Sequence, residues 1–362
     1  MSKIFNQELV GKRESVVDQL LLLNEHQTPL VSLLGFSAPV TQVEHQWFED
    51  EMFADESTVT SAVMDDATTI PVVDAEPFRK DQVVKVGEEL MLVTAVNGED
   101  LSVQRGYAST PAAAVDENAK IEVMFVEGEE GRDARDARYK PRKRVSNLTQ
   151  IFDDSISITG TAAAVANYGI DNIYNHEQAK KLLELALHIE KAAINGVKYE
   201  SGDGVTRQMR GIRNFIQTNV ANGGGDLTDE KINDTMQAIY EKGGFQTGGN
   251  YKIMVGAKQK RAISNFEKSN IRLDRQDNGR GQVVDHFVSD FGAAEIVLNN
   301  NLAADELFVV DANRIALKPL QGREISHEYL GKQGDYYKGM LVGEYTLEFL
   351  QEKAHGRIKG LA

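Results

Sequence analysis

The sequence predicts an α+β chain with a separate β-rich module inserted ahead of its main helices. Three observations point there. Short runs rich in β-branched residues recur at Thr69–Val73, Gln82–Val86, Leu90–Val96, Leu101–Gln104 and Lys120–Phe125, bounded by turn residues as antiparallel strands are. One long amphipathic pattern, Asn175–Asn195, lies outside that segment and has the period of a helix. The charge is also uneven. Residues 65–127 hold 13 acidic and 5 basic side chains, a net of -8 within a chain total of -15, whereas residues 128–145 hold 7 basic and 4 acidic, a net of +3. Blocks of this kind mark a modular chain.

The 362 residues suffice for two domains, or for one domain with a large insertion. Cysteine is absent, which removes disulfides, thiolate metal sites and cysteine nucleophiles. The acidic balance, with a pI near 5.0, argues against reading DNA sequence. Residues 1–10 hold no secretory pattern, and the longest apolar runs, Leu20–Leu23 and Leu30–Phe36, fall far short of the roughly 20 residues that cross a bilayer. A soluble product of the cytoplasm, with no membrane contact, is the expectation.

Glu14–Asn24 reads as a short amphipathic helix with Val16, Val17, Leu20 and Leu21 on one side. Packing on its own core is the favoured reading; an arm laid on a neighbour is the other. Pro29 and Pro39 then break the chain into extended pieces. Thr41–Ala54 predicts a strand around the single tryptophan, Trp47, and ends in Glu49, Asp50, Glu51, Asp55 and Glu56. Within the module, Asn97-Gly98 suits a hairpin turn with positive φ at both central positions, and Pro71 and Pro77 argue against central strands at those points. A small antiparallel barrel or sandwich of about 60 residues follows, at the small end for an independent core.

After the module, Arg132, Asp133, Arg135, Asp136 and Arg138 alternate in sign, and Lys140, Arg142, Lys143 and Arg144 follow around Pro141. This is either a solvated loop or the second arm of a long hairpin whose first arm is the acidic stretch. Exposed pairs between such arms contribute only about 0–1 kcal/mol each, so the pattern serves register or partner choice better than stability. Glu49, Asp50, Glu51, Arg132, Arg135, Arg138, Lys140, Arg142, Lys143 and Arg144 are therefore the candidate subunit-interface residues.

The helix Asn175–Asn195 has Asn175 as expected N-cap with Gln178 behind it. Its apolar stripe is Ala179, Leu182, Leu183, Ala186, Ile189 and Ala193; Glu177 and Lys181 form an i,i+4 pair; Gly196 is the stop. Its length is roughly 30 Å. A second helix is predicted over Thr228–Lys242, a strand over Tyr251–Val255, a helix over Ala257–Lys268, and strands over Ala294–Leu298, Leu307–Val310, Ile315–Lys318 and Tyr336–Phe349. Asp274–Gln282 reads as a polar, glycine-bearing loop.

Searches for chemistry fail one after another. Gly243–Gly249 shares only its glycines with a phosphate loop, and lacks the Lys and Ser/Thr that hold phosphate and metal. His176-Glu177 and His327-Glu328 lack the second His of a zinc helix, and none of the 7 His has a partner at i+3 or i+4. Gly35–Pro39 lacks the second glycine of a nucleophile elbow. No catalytic residue, cofactor or metal site is expected.

The positive signal lies in particular strings and their order. They are Asn147–Ile151 with Ile158–Thr161, the helix Gln178–Gly196, Arg210–Ile212, Ser289–Gly292, and the closing Gly343–Leu347 with Ala354–Gly356; within the module, Leu92–Val96 and Arg105–Tyr107 join them. Taken together the chain resembles the major capsid proteins of tailed phages, and more narrowly those of short-tailed phages, along essentially its whole length. The resemblance implies an N-terminal arm at 1–40 and extended-loop arms at 41–64 and 128–151 with the module 65–127 between them. It implies a peripheral domain at 152–204 and 322–362 around the long helix, and an axial domain at 205–321. The expected partners are further copies of the chain, assembled in the host cytoplasm as pentamers and hexamers into an icosahedral shell. Packaged double-stranded DNA, contacted without sequence preference, a portal and a scaffolding protein complete the set. The chain opens at Met1 with no long scaffold-like segment ahead of its arm, so the scaffold is expected as a separate protein. The alternative reading is a surface-binding function of the β-rich module; an enzyme is the third and has no motif behind it.

Overall fold

In the computed structural model, which describes residues 28–165, 172–245, 249–266, 286–332 and 334–362, a 14-residue strand, Tyr336–Phe349, runs through the larger of two compact units. That unit is the chain up to Trp47 and from Val145 onward; the other is Phe48–Arg144. The predicted helix Glu14–Asn24 and the loop Asp274–Gln282 lie outside the described residues.

The long strand is antiparallel to Gln150–Thr159, Ser326–Lys332 and Ile315–Pro319. The helix Ile173–Asn195 packs on this sheet, and Leu185, Ile189, Ala193 and Ile194 share one core with Phe152, Ile156, Leu341, Leu347 and Phe349. A second sheet of six strands runs in the order 220–225, 356–361, 307–311, 251–255, 293–298, 286–288. Its strand Tyr251–Val255 is buried at all five positions, Lys252 included, and the Lys252 ammonium pairs with Glu295. The helix Asp229–Glu241 is capped by the Thr228 hydroxyl, which accepts from Lys231 N–H, and it lays Ile232, Met236 and Ile239 on that sheet beside Ile253, Val309 and Ile358.

Three features of the long helix depart from expectation. Its N-cap is Asn172, whose side chain accepts from the N–H groups of Tyr174 and Asn175; Asn175 already sits in the first turn as a donor. The expected apolar stripe is buried only in its C-terminal half. Leu182 and Leu183 are 43% and 41% exposed, because here the helix turns another side to its sheet, where Lys181 meets Asp154 at 3.0 Å. Glu177 pairs with Lys180 at 3.2 Å, not with Lys181, which takes Glu184 at 2.8 Å as well. Gly196 ends the helix as expected, with φ -53, an ordinary value. Its glycine is required by closeness: a Cβ would stand 2.4 Å from the Met209 carbonyl oxygen and 2.5 Å from that of Ala192.

The unit Phe48–Arg144 is built on six strands in the order 56–58, 120–126, 82–86, 89–97, 100–104, 69–71. The first and last of these strands meet through a bridge between Val59 and Val72. Ile70, Val72, Val84, Met91, Val93, Leu101, Val103 and Ile121 form its separate core. The strand Glu56–Thr58, expected in the loop arm, belongs to this sheet. The 97–100 hairpin turns on Gly98 and Glu99, with positive φ (65°) only at Gly98, while Asn97 pairs with Asp100 in the ladder. A buried clamp holds the loop after Gln104. Both carboxylate oxygens of Glu89 accept from Arg105, at 2.8 and 2.7 Å, and also from the N–H groups of Gly106 (3.0 Å) and Ala113 (3.1 Å).

Candidate assembly interface

The acidic and basic stretches on either side of the module come together, but only their outer ends form a ladder. Of the predicted strand Thr41–Ala54, the structure makes Glu44–Glu49, and it pairs with Lys143–Leu148. Trp47 is buried there and faces Phe215 across 6.1 Å between ring centres.

Beyond this ladder the returning chain runs beside the outgoing one without regular secondary structure. The Arg142 guanidinium lies 3.4 Å from the Asp50 carboxylate. Lys140 donates to the Met52 carbonyl at 3.5 Å and pairs with Glu76 at 3.4 Å. Arg138 sits 4.1 Å over the Phe53 ring and donates to the Pro77 carbonyl at 2.8 Å. Arg135 donates to the Glu127 carbonyl, and Arg132 pairs with Asp81. The order 142–50, 140–52, 138–53 is that of two antiparallel arms. Arg132, Arg135 and Arg138 are spaced by three, and each one reaches the module. An extended chain with three residues per turn puts such a set on one edge. Burial and then the neighbouring charge of Arg79 push the Arg138 guanidinium down from its usual value, whereas the hydrogen bond to Asp81 pushes Arg132 up.

The candidate residues thus divide. Asp50, Arg132, Arg135, Arg138, Lys140 and Arg142 contact residues of their own unit. Glu49 ends the first strand half-buried and Glu51 is exposed. Lys143 and Arg144 are exposed on the second strand, with no ion-pair partner among the described residues. Charge counting did not single out the apolar residues of the same arms: Phe48, Met52 and Tyr139 are 69%, 92% and 79% exposed. Their signal was present as large apolar side chains set among the charges of 48–56 and 132–144.

A second fastening escaped the sequence altogether. Glu190 is fully buried in the long helix, and its carboxylate accepts from the backbone N–H of Leu30 at 3.0 Å, that of Val31 at 2.8 Å, and the Asn299 side-chain amide at 2.6 Å. It satisfies two of the N–H groups left open at the start of the short helix Pro29–Leu34. Burial pushes its pKa above the ordinary carboxylate range despite the three donors. Among the described residues, no group of three or more His, Asp or Glu could hold a metal ion.

The fold, a long helix on an antiparallel sheet and a second sheet with its own helix, is that of solved capsid chains. Over 97% of this chain and 92% of the other, the fold superposes on a chain of Gordonia phage Cozz with a TM-score of 0.53 at 11% identity. It matches the capsid asymmetric unit of cyanophage A-1(L) with a TM-score of 0.52 at 11% identity, over 98% of both chains. Residues 3–362 match the model of the SU10 major capsid protein, and the chain belongs to that family of structural, non-enzymatic phage proteins. It is 24% identical to the major capsid protein of Pseudomonas phage PaMx41, over 92% of this chain and 87% of that one. The chain is a component of the virion capsid shell.

Proposed function

We propose that the chain closes this shell as pentamers and hexamers on an icosahedral plan, with the lashed arms as a principal contact between subunits. The carrying observation is the exposure of Phe48, Met52 and Tyr139 on arms whose charges are largely engaged within their own unit. Apolar side chains held out on a braced extension suit burial against another copy, and aromatic residues and methionine are enriched in interface cores. Lys143 and Arg144, with Glu49 and Glu51, form the charged rim of that contact and favour one register over others. In this reading 1–40 is the N-terminal arm, 41–64 and 128–151 the loop arms, 152–204 with 322–362 the peripheral domain, and 205–321 the axial domain. A separate scaffolding protein and a portal complete assembly in the host cytoplasm, and the acidic subunit contacts packaged double-stranded DNA without sequence preference.

Sedimentation and negative-stain microscopy of the purified chain, alone and co-expressed with the other structural proteins of its virion, test the reading. Rings of five and six subunits or closed shells are expected. A chain that stays monomeric in both settings overturns it.

A further inference from the structure

The two halves of the long helix Ile173–Asn195 are covered differently. Ala179, Leu183, Ala186 and Glu190 follow one another at spacings of four, three and four residues, and so lie along one face of it. At Glu190 this face is closed by the helix Pro29–Leu34, whose first N–H groups the carboxylate accepts. Toward the N-terminus the same face opens. Ala186 is half-buried and Ala179 exposed, and Leu183 and its neighbour Leu182 stand 41% and 43% exposed. The cover stops where the described chain stops, at Thr28.

The sequence ahead of Thr28 holds a segment that fits the open face. Val16, Val17, Leu20 and Leu21 fall on one side of Glu14–Asn24. Leu23 comes five residues before Thr28, a span of up to about 17 Å. Leu183 comes seven residues before Glu190, roughly 10 Å along the helix axis. The tether is therefore long enough to lay this apolar side on the helix of its own subunit. With Leu20 and Leu21 against Leu183 and Ala186, Val16 and Val17 come to Ala179. A separate copy loses translational and rotational freedom on binding so small a patch. A segment already fastened through Leu30 and Val31 acts at a high effective concentration and loses far less.

We propose that Glu14–Asn24 docks on the face Ala179–Ala186 of the long helix in its own subunit, extending the cover that Pro29–Leu34 begins. The contact lies within one chain and does not depend on the shell reading. The absence of cysteine gives it a clean probe, the rate at which a maleimide labels Leu183→Cys in the full chain. Adding Val16→Ser, Val17→Ser, Leu20→Ser and Leu21→Ser is expected to raise that rate at least about tenfold, by the same factor at every protein concentration. Tyr240→Cys, exposed on the helix Asp229–Glu241, should label alike in both backgrounds, which shows that the fold is kept. Leu20→Cys with Leu183→Cys, joined by a short bismaleimide, should give a product of monomer mass. Equal rates at Leu183→Cys in the two backgrounds overturn the docking. Protection that fades on dilution, or a joined product of dimer mass, gives the segment to a second copy and overturns its assignment to its own subunit. Particle formation by the wild-type chain decides the shell reading separately.

Discussion

Glu190 accepts the backbone N–H of Val31 at 2.8 Å across 159 residues of sequence, and so ties the start of the helix Pro29–Leu34 to the C-terminal third of the long one. Removing the carboxylate leaves buried donors open. Glu190→Ala is expected to cost about 2–3 kcal/mol in denaturant unfolding, and Glu190→Gln less. The pH dependence has a definite sign. Because the folded-state pKa is raised, the unfolded chain releases this proton first as pH rises above the ordinary value. The contribution of Glu190 to stability therefore declines through that window, and Glu190→Gln should remove this decline.

The Arg105–Glu89 clamp gives a test confined to the smaller unit. Glu89 is 2% exposed, and Arg105→Ala strands its charge with only two backbone donors. A loss of about 3–5 kcal/mol is expected, read as lost hydrogen-exchange protection over 56–126 with protection retained in the long helix. Arg105→Lys should not rescue it, since a point charge cannot replace the two-pronged contact.

His355 is wholly buried. Its Nδ1 accepts from Asp311 N–H at 3.1 Å, and its Nε2 faces the Leu350 carbonyl at 3.2 Å, so the neutral ring with its proton on Nε2 fits the site. Burial lowers its pKa to about 4. Between pH 6.5 and pH 4 the unfolded chain takes up a proton that the folded one refuses, so stability falls as pH falls through that window, by about 3 kcal/mol in all. His355→Gln should show a shallower slope over the same range.

The arms separate stability from assembly. Arg142 and Asp50 have side chains 68% and 65% exposed, and Arg142→Ala should change unfolding free energy by less than about 1 kcal/mol. Phe48→Ser with Met52→Ser should leave the thermal midpoint of the unassembled subunit nearly unchanged and abolish particle growth in light scattering. Particles that still grow at the wild-type rate would remove the arms from the contact.

Elements with a clean period were legible. The strands at 82–86, 89–97 and 120–126 and the helix at 229–241 lie within a few residues of where side-chain alternation and capping put them. Gln150–Thr159 is a strand that the sequence does not announce. Asp153, Asp154 and Ser155 interrupt the apolar residues of QIFDDSISIT, and its place in the sheet comes from pairing with Tyr336–Tyr345, nearly 200 residues away. The same distance hid Glu190, since a lone glutamate in a helix looks solvated until the N-terminal segment folds over it. In the arms, charge order revealed that two stretches meet. It could not reveal which cations turn inward, because Arg132, Arg135 and Arg138 differ from Lys143 and Arg144 only in what the module offers beside them.

The two crossings into the smaller unit, at Trp47–Phe48 and Arg144–Val145, fall on neighbouring paired strands. A segment whose entry and exit stand side by side is a cassette. It can be excised and the ends rejoined by a short turn, or exchanged for a foreign domain of similar footing, without rethreading the rest of the chain.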